Sequence, residues 1–327
     1  MNVLLTGATG LLGVHIAGEL IQQGYGVKAL YRSLPERYRA LPWFEDVEWV
    51  KGAITSSADI EAALGGCQAV IHAAARTDPS PSDLASYREA NITSTDIILA
   101  AARKMEIARL VYVSTAAVYR PGSLTEPATE RSSYAFNLMA SGYIASKYQA
   151  QQRVLEEAKN GLNAIIVNPA FLLGPYDFKP SSGAIIQHVL RNRAVFYPGS
   201  GGKSFIDVRD AARATVNALR EGKTGECYLL ANEHIPYERF FPLVAKLAGK
   251  PKRLIPVPTR LLRSVGWLGS TGEWLTGYPY QLNIINARLM TQDNYYSGKK
   301  ATDELYMPGS SIERAIQDAI HWFNTVS

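Results

Sequence analysis

Residues 6–13, Thr6-Gly7-Ala8-Thr9-Gly10-Leu11-Leu12-Gly13, follow the short apolar run Val3-Leu4-Leu5 and open an amphipathic stretch that reaches about Gln23. Strand, glycine turn and helix start, in that order, build a cradle for a dinucleotide pyrophosphate. Glycine permits positive φ in the turn, and the missing side chains let backbone N–H groups approach phosphate oxygens. The helix N-terminus adds its partial positive charge. The spacing is Gly-x-x-Gly-x-x-Gly, wider than the Gly-x-Gly-x-x-Gly of the common fingerprint. A glycine-rich hairpin would account for the glycines, but not for a strand before them and a helix after. The expected contacts are Thr6, Gly7, Thr9, Gly10, Leu11, Leu12 and Gly13.

The 327 residues suffice for one large core or two modest ones. Hydrophobic residues make up 47% and charged ones 19%, the balance of a soluble globular protein. The net charge of +5 is spread along the chain, with no basic stripe interleaved with aromatics, so nucleic acid is not an expected partner. Cys67 and Cys227 stand far apart in apolar surroundings, which suits buried thiols better than a disulfide, a nucleophile or a metal site. The chain starts directly on a strand, so no secretory leader is expected. No apolar run approaches the roughly 18 residues of a membrane span. A cytoplasmic location is the default expectation.

Strand-like and helical runs alternate through the first half. Strands are expected at 27–31, 69–72, 110–114, 164–168 and 227–230, and helices at 84–104, 141–159 and 210–221. Near-continuous apolar strands separated by helices imply a parallel sheet covered on both faces. The fold class is therefore α/β, a Rossmann-type doubly wound sheet. After Asn232, Pro236, Pro242, Pro251, Pro256, Pro258 and Pro279 break the chain into short helical segments. Ile312, Ala315, Ile316, Ala319, Ile320 and Phe323 recur at helical spacing behind Ser310 or Ser311, which predicts a capped C-terminal helix. A dinucleotide-binding domain is expected over 1–169 plus about 204–231. About 170–203 and 232–327 would form a smaller, discontinuous substrate subdomain.

Tyr143-Ile144-Ala145-Ser146-Lys147 places a phenol and an ammonium on one helix face, about 6 Å apart along the axis. Phenol, with an ordinary pKa near 10, is a poor acid–base group at neutral pH. A neighbouring ammonium favours the phenolate and should bring the pKa towards a useful range. Tyr295/Lys299 and Tyr296/Lys300 share the spacing, but Gly298 interrupts the helix there and they read as surface residues. The strand around Val111 ends in Ser114 and Thr115, where a parallel sheet presents its ligands. Either hydroxyl could hold a substrate carbonyl or cap the strand end.

In order and over nearly its whole length, the chain resembles the extended short-chain dehydrogenase/reductase family. The loop at 6–13 matches TGxxGxxG, His72-Ala73-Ala74-Ala75 a segment beside the coenzyme ribose, and Asn91 a helix asparagine of the family. Thr115, four residues before Tyr119, falls at the catalytic Ser/Thr position, and Tyr143/Lys147 at the YxxxK pair. Pro169-Ala170-Phe171-Leu172, within 168–175, resembles the loop that holds the nicotinamide carboxamide. Tyr31-Arg32, 174–177, the stretch 179–183 with Ser182, 296–301 and Trp322-Phe323 bring it closest to the dihydroflavonol-reductase-like and 3β-hydroxysteroid-dehydrogenase-like branch. Two departures stand out. Ala53-Ile54 replaces an adenine-contacting carboxylate, leaving backbone groups there, and Arg120 replaces a glycine after Val-Tyr.

An NAD site of this type carries Asp or Glu at the end of the second strand. Here Tyr31-Arg32-Ser33 offers a guanidinium, which suits the 2′-phosphate of NADP(H) unless Arg32 is an ordinary solvated side chain. NAD(H) stays open. His72 reads as a buried, hydrogen-bonded imidazole, Asn91 as a positioning residue, and Asp177 and Asp207 as loop or cap carboxylates. Tyr134, Phe136, Phe171, Phe178, Phe205, Trp267 and Trp274 are expected around the pocket, about half of them as core.

The resemblance implies an NADPH-dependent reductase of a ketone or aldehyde on a mainly apolar small molecule, with Thr115, Tyr143 and Lys147 as catalytic residues. The alternatives are a nucleotide-sugar epimerase or dehydratase with tightly bound NAD, and a non-catalytic cofactor-binding protein. Sugar-nucleotide enzymes commonly carry Asn where Phe171 stands. Helices 84–104 and 141–159 could pair across a homodimer. Leu261, Leu262, Val265, Trp267 and Leu268, beside Arg260 and Arg263, suit either core packing or a membrane surface.

Overall fold

Seven parallel strands form the central sheet. They are β1 (Asn2–Thr6), β2 (Gly26–Tyr31), β3 (Val47–Lys51), β4 (Ala69–His72), β5 (Arg109–Val113), β6 (Ala164–Pro169) and the strand Cys227–Leu230. Their spatial order is Cys227–Leu230, β6, β5, β4, β1, β2, β3, so the order reverses between β1 and β4. Ligands in such sheets bind outside the strand ends at that reversal. The structure, a computed structural model, describes residues 1–78, 83–276 and 283–325, with backbone only at 137 and 272–276.

Successive strand residues point to opposite faces, and both faces are buried. Val3, Leu5, Val111, Ile165 and Val167 pack under the helices α1 (Leu11–Gln22) and Val208–Asn217. Leu4, Leu110, Tyr112, Ala164 and Ile166 pack under α2 (Ser57–Leu64), Ser94–Lys104 and Gly142–Lys159. This two-sided burial is why the strands read as continuous apolar runs. The expected helix 84–104 is three pieces in series, with a π-helical segment Arg88–Thr93 between Ala85–Tyr87 and Ser94–Lys104. The helix expected at 210–221 starts earlier, capped by Asp207, and ends at Asn217.

A second sheet joins Phe171–Leu173, Gly202–Asp207, Glu233–Pro236 and Asp293–Asn294, and Ala194–Pro198 pairs with Arg253–Val257. Phe205, Phe240, Phe241 and the inner face of Ile312–Thr325 form the core beside them. All six apolar positions expected on that last helix are buried, and Ser311 Oγ accepts the Glu313 N–H at 3.3 Å.

Several proline readings need correction. Pro242 lies inside the helix Tyr237–Leu247, and Pro256 lies in the strand Arg253–Val257, which pairs on one side only. Thr259–Thr276 is an 18-residue helix, not a short one. Pro279 falls outside the described residues, as does the side chain of Trp274. Among the described residues no helix is long and apolar enough to cross a membrane.

Candidate active site

The glycine loop leaves β1 and runs against the exit of β4. Gly7 has φ 78°, and a Cβ there would lie 2.6 Å from Ala73 C and Ala74 N. A Cβ on Gly13 would lie 2.0 Å from Gly7 O. These two glycines are demanded by the protein's own packing. Gly10 differs, because an added Cβ would meet only Gly7 O, at 3.4 Å. Its outer side is open, and it begins α1 without a side-chain cap, leaving first-turn N–H groups for an anion. Leu11 and Leu12 are buried, so only their backbone is available to a ligand. The cradle fits a dinucleotide pyrophosphate.

Thr6 ties the two strand ends together. Its Oγ1 lies 2.7 Å from His72 Nδ1 and accepts the Ala74 N–H at 3.3 Å, while Thr6 O accepts the Ala73 N–H at 3.2 Å. Tyr38 donates to Thr9 O at 2.7 Å and stacks on Phe178, clamping the 34–46 segment over the loop. Arg32 is exposed just past β2, with no ion pair among the described residues. The Ala53 N–H is held by Asp59 at 2.8 Å, beside half-buried Ile54. Ala75 is half-buried below the cradle.

On the other side, the Ala170 N–H bonds Leu230 O at 2.9 Å, after buried Pro169. Phe171 and Leu172 pair with Phe205 and Ile206. Half-buried Ser182 sits in a turn whose Ser181 and Gly183 N–H groups bond Asp177. Asp177 and Asp207 are thus the turn and cap carboxylates expected.

Thr115, Tyr143 and Lys147 converge beyond the end of β5. Thr115 Oγ1 accepts the Ala117 N–H at 3.3 Å, and Ala117 shares an apolar cluster with Tyr143. The Thr115 carbonyl accepts Asn168 Nδ2 at 3.0 Å, and Asn168 also donates to Gln151 Oε1 at 2.8 Å. Lys147 is buried; its Nζ donates to Val113 O at 2.7 Å and lies 4.3 Å over the Tyr112 ring. Ser114 is buried, which leaves Thr115 as the accessible hydroxyl. Asn91 fixes the frame. Its Oδ1 accepts the Arg76 N–H at 2.7 Å, and Nδ2 donates to Arg76 O and Ser146 Oγ, the latter at 2.8 Å.

Burial dominates the electrostatics. It lowers His72 to about 3, with a further push from Lys147, and lowers Lys147 itself to about 7. Burial also raises Tyr143 above its ordinary value, opposed by the neighbouring Thr115 hydroxyl. The expected lowering of the Tyr143 pKa by Lys147 is therefore not met. The ammonium is committed to Val113 O, and the phenol stays protonated. Tyr295 and Tyr296 are buried rather than on the surface. The helix beneath them begins only at Lys299, so neither is stacked over a lysine.

A model of the NAD dependent epimerase/dehydratase family matches residues 3–231. The chain belongs to that family. The putative dihydroflavonol 4-reductase of Synechocystis sp. is 33% identical to it over 326 residues, 98% of this chain and 93% of that one. Sterol demethylase protein B of Methylococcus capsulatus is 26% identical over 329 residues, 99% and 98% of the two chains. The crystal structure of gox2253 superimposes with a TM-score of 0.86 at 27% identity, covering 99% of this chain and 98% of that one. This epimerase/dehydratase family member is an NAD(P)-dependent short-chain dehydrogenase/reductase.

Sequence reasoning about this family member missed Lys203. It is half-buried, its Nζ lies 5.1 Å over the Phe171 ring, and burial pulls it down to about 8. No carboxylate pairs with it among the described residues. The signal was its strand alternation with Phe205, which places both on one face. Of the aromatics expected near the pocket, Phe178 and Phe205 are core, Phe136 is exposed, and Tyr134 packs on Tyr119 and Tyr148.

Proposed function

We propose that the chain reduces a ketone or aldehyde on a mainly apolar small molecule at the expense of NADPH. The observation that carries this reading is the convergence of Thr115, Tyr143 and Lys147 at the end of β5, beside the glycine cradle: Tyr143 shares a cluster with Ala117, and Lys147, one helical turn on, bonds Val113 O. When bound, the nicotinamide supplies a hydride from C4 to the carbonyl carbon. Tyr143 then gives its phenolic proton to the alkoxide oxygen. The phenol is protonated at neutral pH, as a donor must be, and the strongly basic alkoxide formed by hydride transfer is what draws the proton from it. Thr115 Oγ1 donates to the same oxygen and positions it. Lys147 places a charge beside the phenolate left behind and reaches the nicotinamide ribose.

The cradle residues 6–13 would hold the pyrophosphate, and Ala73 to Ala75 the ribose side. Arg32, free of any carboxylate among the described residues, would take the 2′-phosphate. Pro169, Ala170, Phe171 and Leu172 would border the nicotinamide, with Ser182 further out and Ala53 and Ile54 near adenine. On this reading 1–169 with 204–231 binds coenzyme, and 170–203 with 232–327 binds substrate. An apolar substrate is supported by exposed Phe136 packed on Tyr134, and by relatives named for a dihydroflavonol and a sterol.

The test is Tyr143→Phe, assayed by NADPH oxidation against aldehydes, aryl ketones, keto-lipids and ketosteroids. Turnover should fall by about 10²–10⁴-fold while NADPH affinity changes little. Wild-type turnover in the variant would remove Tyr143 from the reaction. Lys203 supports a second reading, a nucleotide-sugar epimerase, because its unpaired ammonium would suit a diphosphate. NAD that co-purifies and needs no replenishing would decide for it.

A further inference from the structure

The helix Thr259–Thr276 is packed on one side and bare on the other. Gly266 marks the packed side. A Cβ there would lie 2.6 Å from Ala287 Cβ and 2.9 Å from Asn283 O, so the helix is pressed against its neighbour Ile284–Thr291. Ser270 Oγ accepts the Ile284 N–H at 3.0 Å on the same side. Leu261, Val265 and Leu268, spaced four and three residues apart, point the other way and are 54%, 41% and 60% exposed. Trp267 stands beside them at 61%. The core packing considered from the sequence is not what these residues do.

Arg260 and Arg263 lie with Trp267 along one edge of the apolar stripe, both exposed and without a carboxylate partner among the described residues. An aliphatic stripe with a tryptophan beside it and arginines along its edge is the layout of a helix lying in a lipid–water interface. Tryptophan suits the headgroup level, and arginine suits phosphate. We infer that this face docks on an anionic bilayer surface. The charge chooses this occupant, because two guanidiniums line the Trp267 edge of the apolar stripe, and the helix's one acid, Glu273, comes ten residues after Arg263 in the sequence.

The position gives such docking a use. The neighbouring helix places Leu289 on the cluster Ala135, Leu138 and Ile144, and Tyr143 packs on that same cluster. The docking helix is therefore joined by one helix to the mouth of the catalytic cleft. A carbonyl substrate dissolved in the membrane would meet the cleft at the bilayer surface, an advantage that rests on the apolar-substrate reading above. Docking itself does not require it.

The test is co-flotation of the full chain with phosphatidylcholine vesicles, with and without phosphatidylserine. Flotation is expected with the anionic vesicles and should weaken as salt rises. Leu261→Glu with Leu268→Glu should abolish it while leaving the melting temperature unchanged. Arg260→Gln with Arg263→Gln, which leaves the apolar face intact, should remove the dependence on phosphatidylserine. No flotation with either vesicle would overturn the inference, as would flotation unaffected by both variants. So would a concentration-dependent dimer that the glutamate variant dissolves, because the face would then meet a second copy. Flotation without turnover on any carbonyl would instead count against the reductase reading alone.

Discussion

Lys147 is a charge placed where charge is expensive. It is 2% exposed, and apart from the face of Tyr112 it has only one carbonyl oxygen for its ammonium. Its pKa falls from the ordinary 10.5 to about 7 in the folded chain. Between those values the unfolded chain holds a proton that the folded chain has released, so stability rises with pH across the interval. Below about pH 7 both states are protonated and the full cost of burying the ammonium is present. Lys147→Met should therefore raise the melting temperature by a few degrees at pH 6, with the gain shrinking as pH climbs towards 10. Turnover should be lost at every pH. Calorimetry across that range checks the first expectation; a variant no more stable than wild type at pH 6 would refute it. The Tyr143/Lys147 spacing was legible in the sequence, but Tyr295/Lys299 and Tyr296/Lys300 share it, and only the helical context and the family resemblance singled it out. The carbonyl that holds the lysine was not legible, because Val113 O is a backbone atom 34 residues away.

At the scale of elements, the glycine loop separates two roles that look alike in the sequence. Gly13 keeps α1 against the loop, where an added methyl carbon would fall 2.0 Å from a backbone oxygen. Gly10 faces open space. Gly13→Ala should lower the melting temperature sharply or prevent folding, whereas Gly10→Ala should melt near wild type and weaken NADPH binding by about tenfold or more. Differential scanning fluorimetry with and without NADPH distinguishes them, and equal losses of stability would refute the division. Strand, loop and helix were readable here because all three signals are local. The edge strand Val47–Lys51 and the helix Ser57–Leu64 were missed, since a half-exposed strand and an eight-residue helix leave weak periodicities. The π-helical turn that aims Asn91 at Arg76 and Ser146 was also invisible. Nothing in a run of apolar spacings marks one extra residue per turn.

For the molecule as a whole, a buried histidine and a half-buried one make acid the natural denaturant. His72 joins the ends of β1 and β4 through Thr6. His15 donates from α1 to Pro175 O at 3.0 Å, tying the helix after the glycine loop to the segment that follows the strand Phe171–Leu173. Burial lowers His15 to about 4 and His72 to about 3, from an ordinary 6.5. In the unfolded chain both protonate near 6.5, so their contribution is complete above that pH and drains away towards the folded values. Each tenfold change in proton affinity is worth about 1.4 kcal/mol, which makes the joint loss on the order of several kcal/mol. Asp177 and Asp210 act in the opposite sense, because burial raises their carboxyls above the ordinary 3.8. The histidine variants are compared with wild type from pH 6.5 to 5, so that this common background cancels. There the melting temperature should fall steeply for the wild type and less steeply for His15→Gln, which keeps a donor for Pro175 O without a titrating ring. His72→Asn should flatten the curve further, even if it lowers stability at pH 7.5. Parallel curves for all three proteins would mean that neither imidazole is linked to folding, and that α1 and the Pro175 segment are held together by groups that do not titrate in this range.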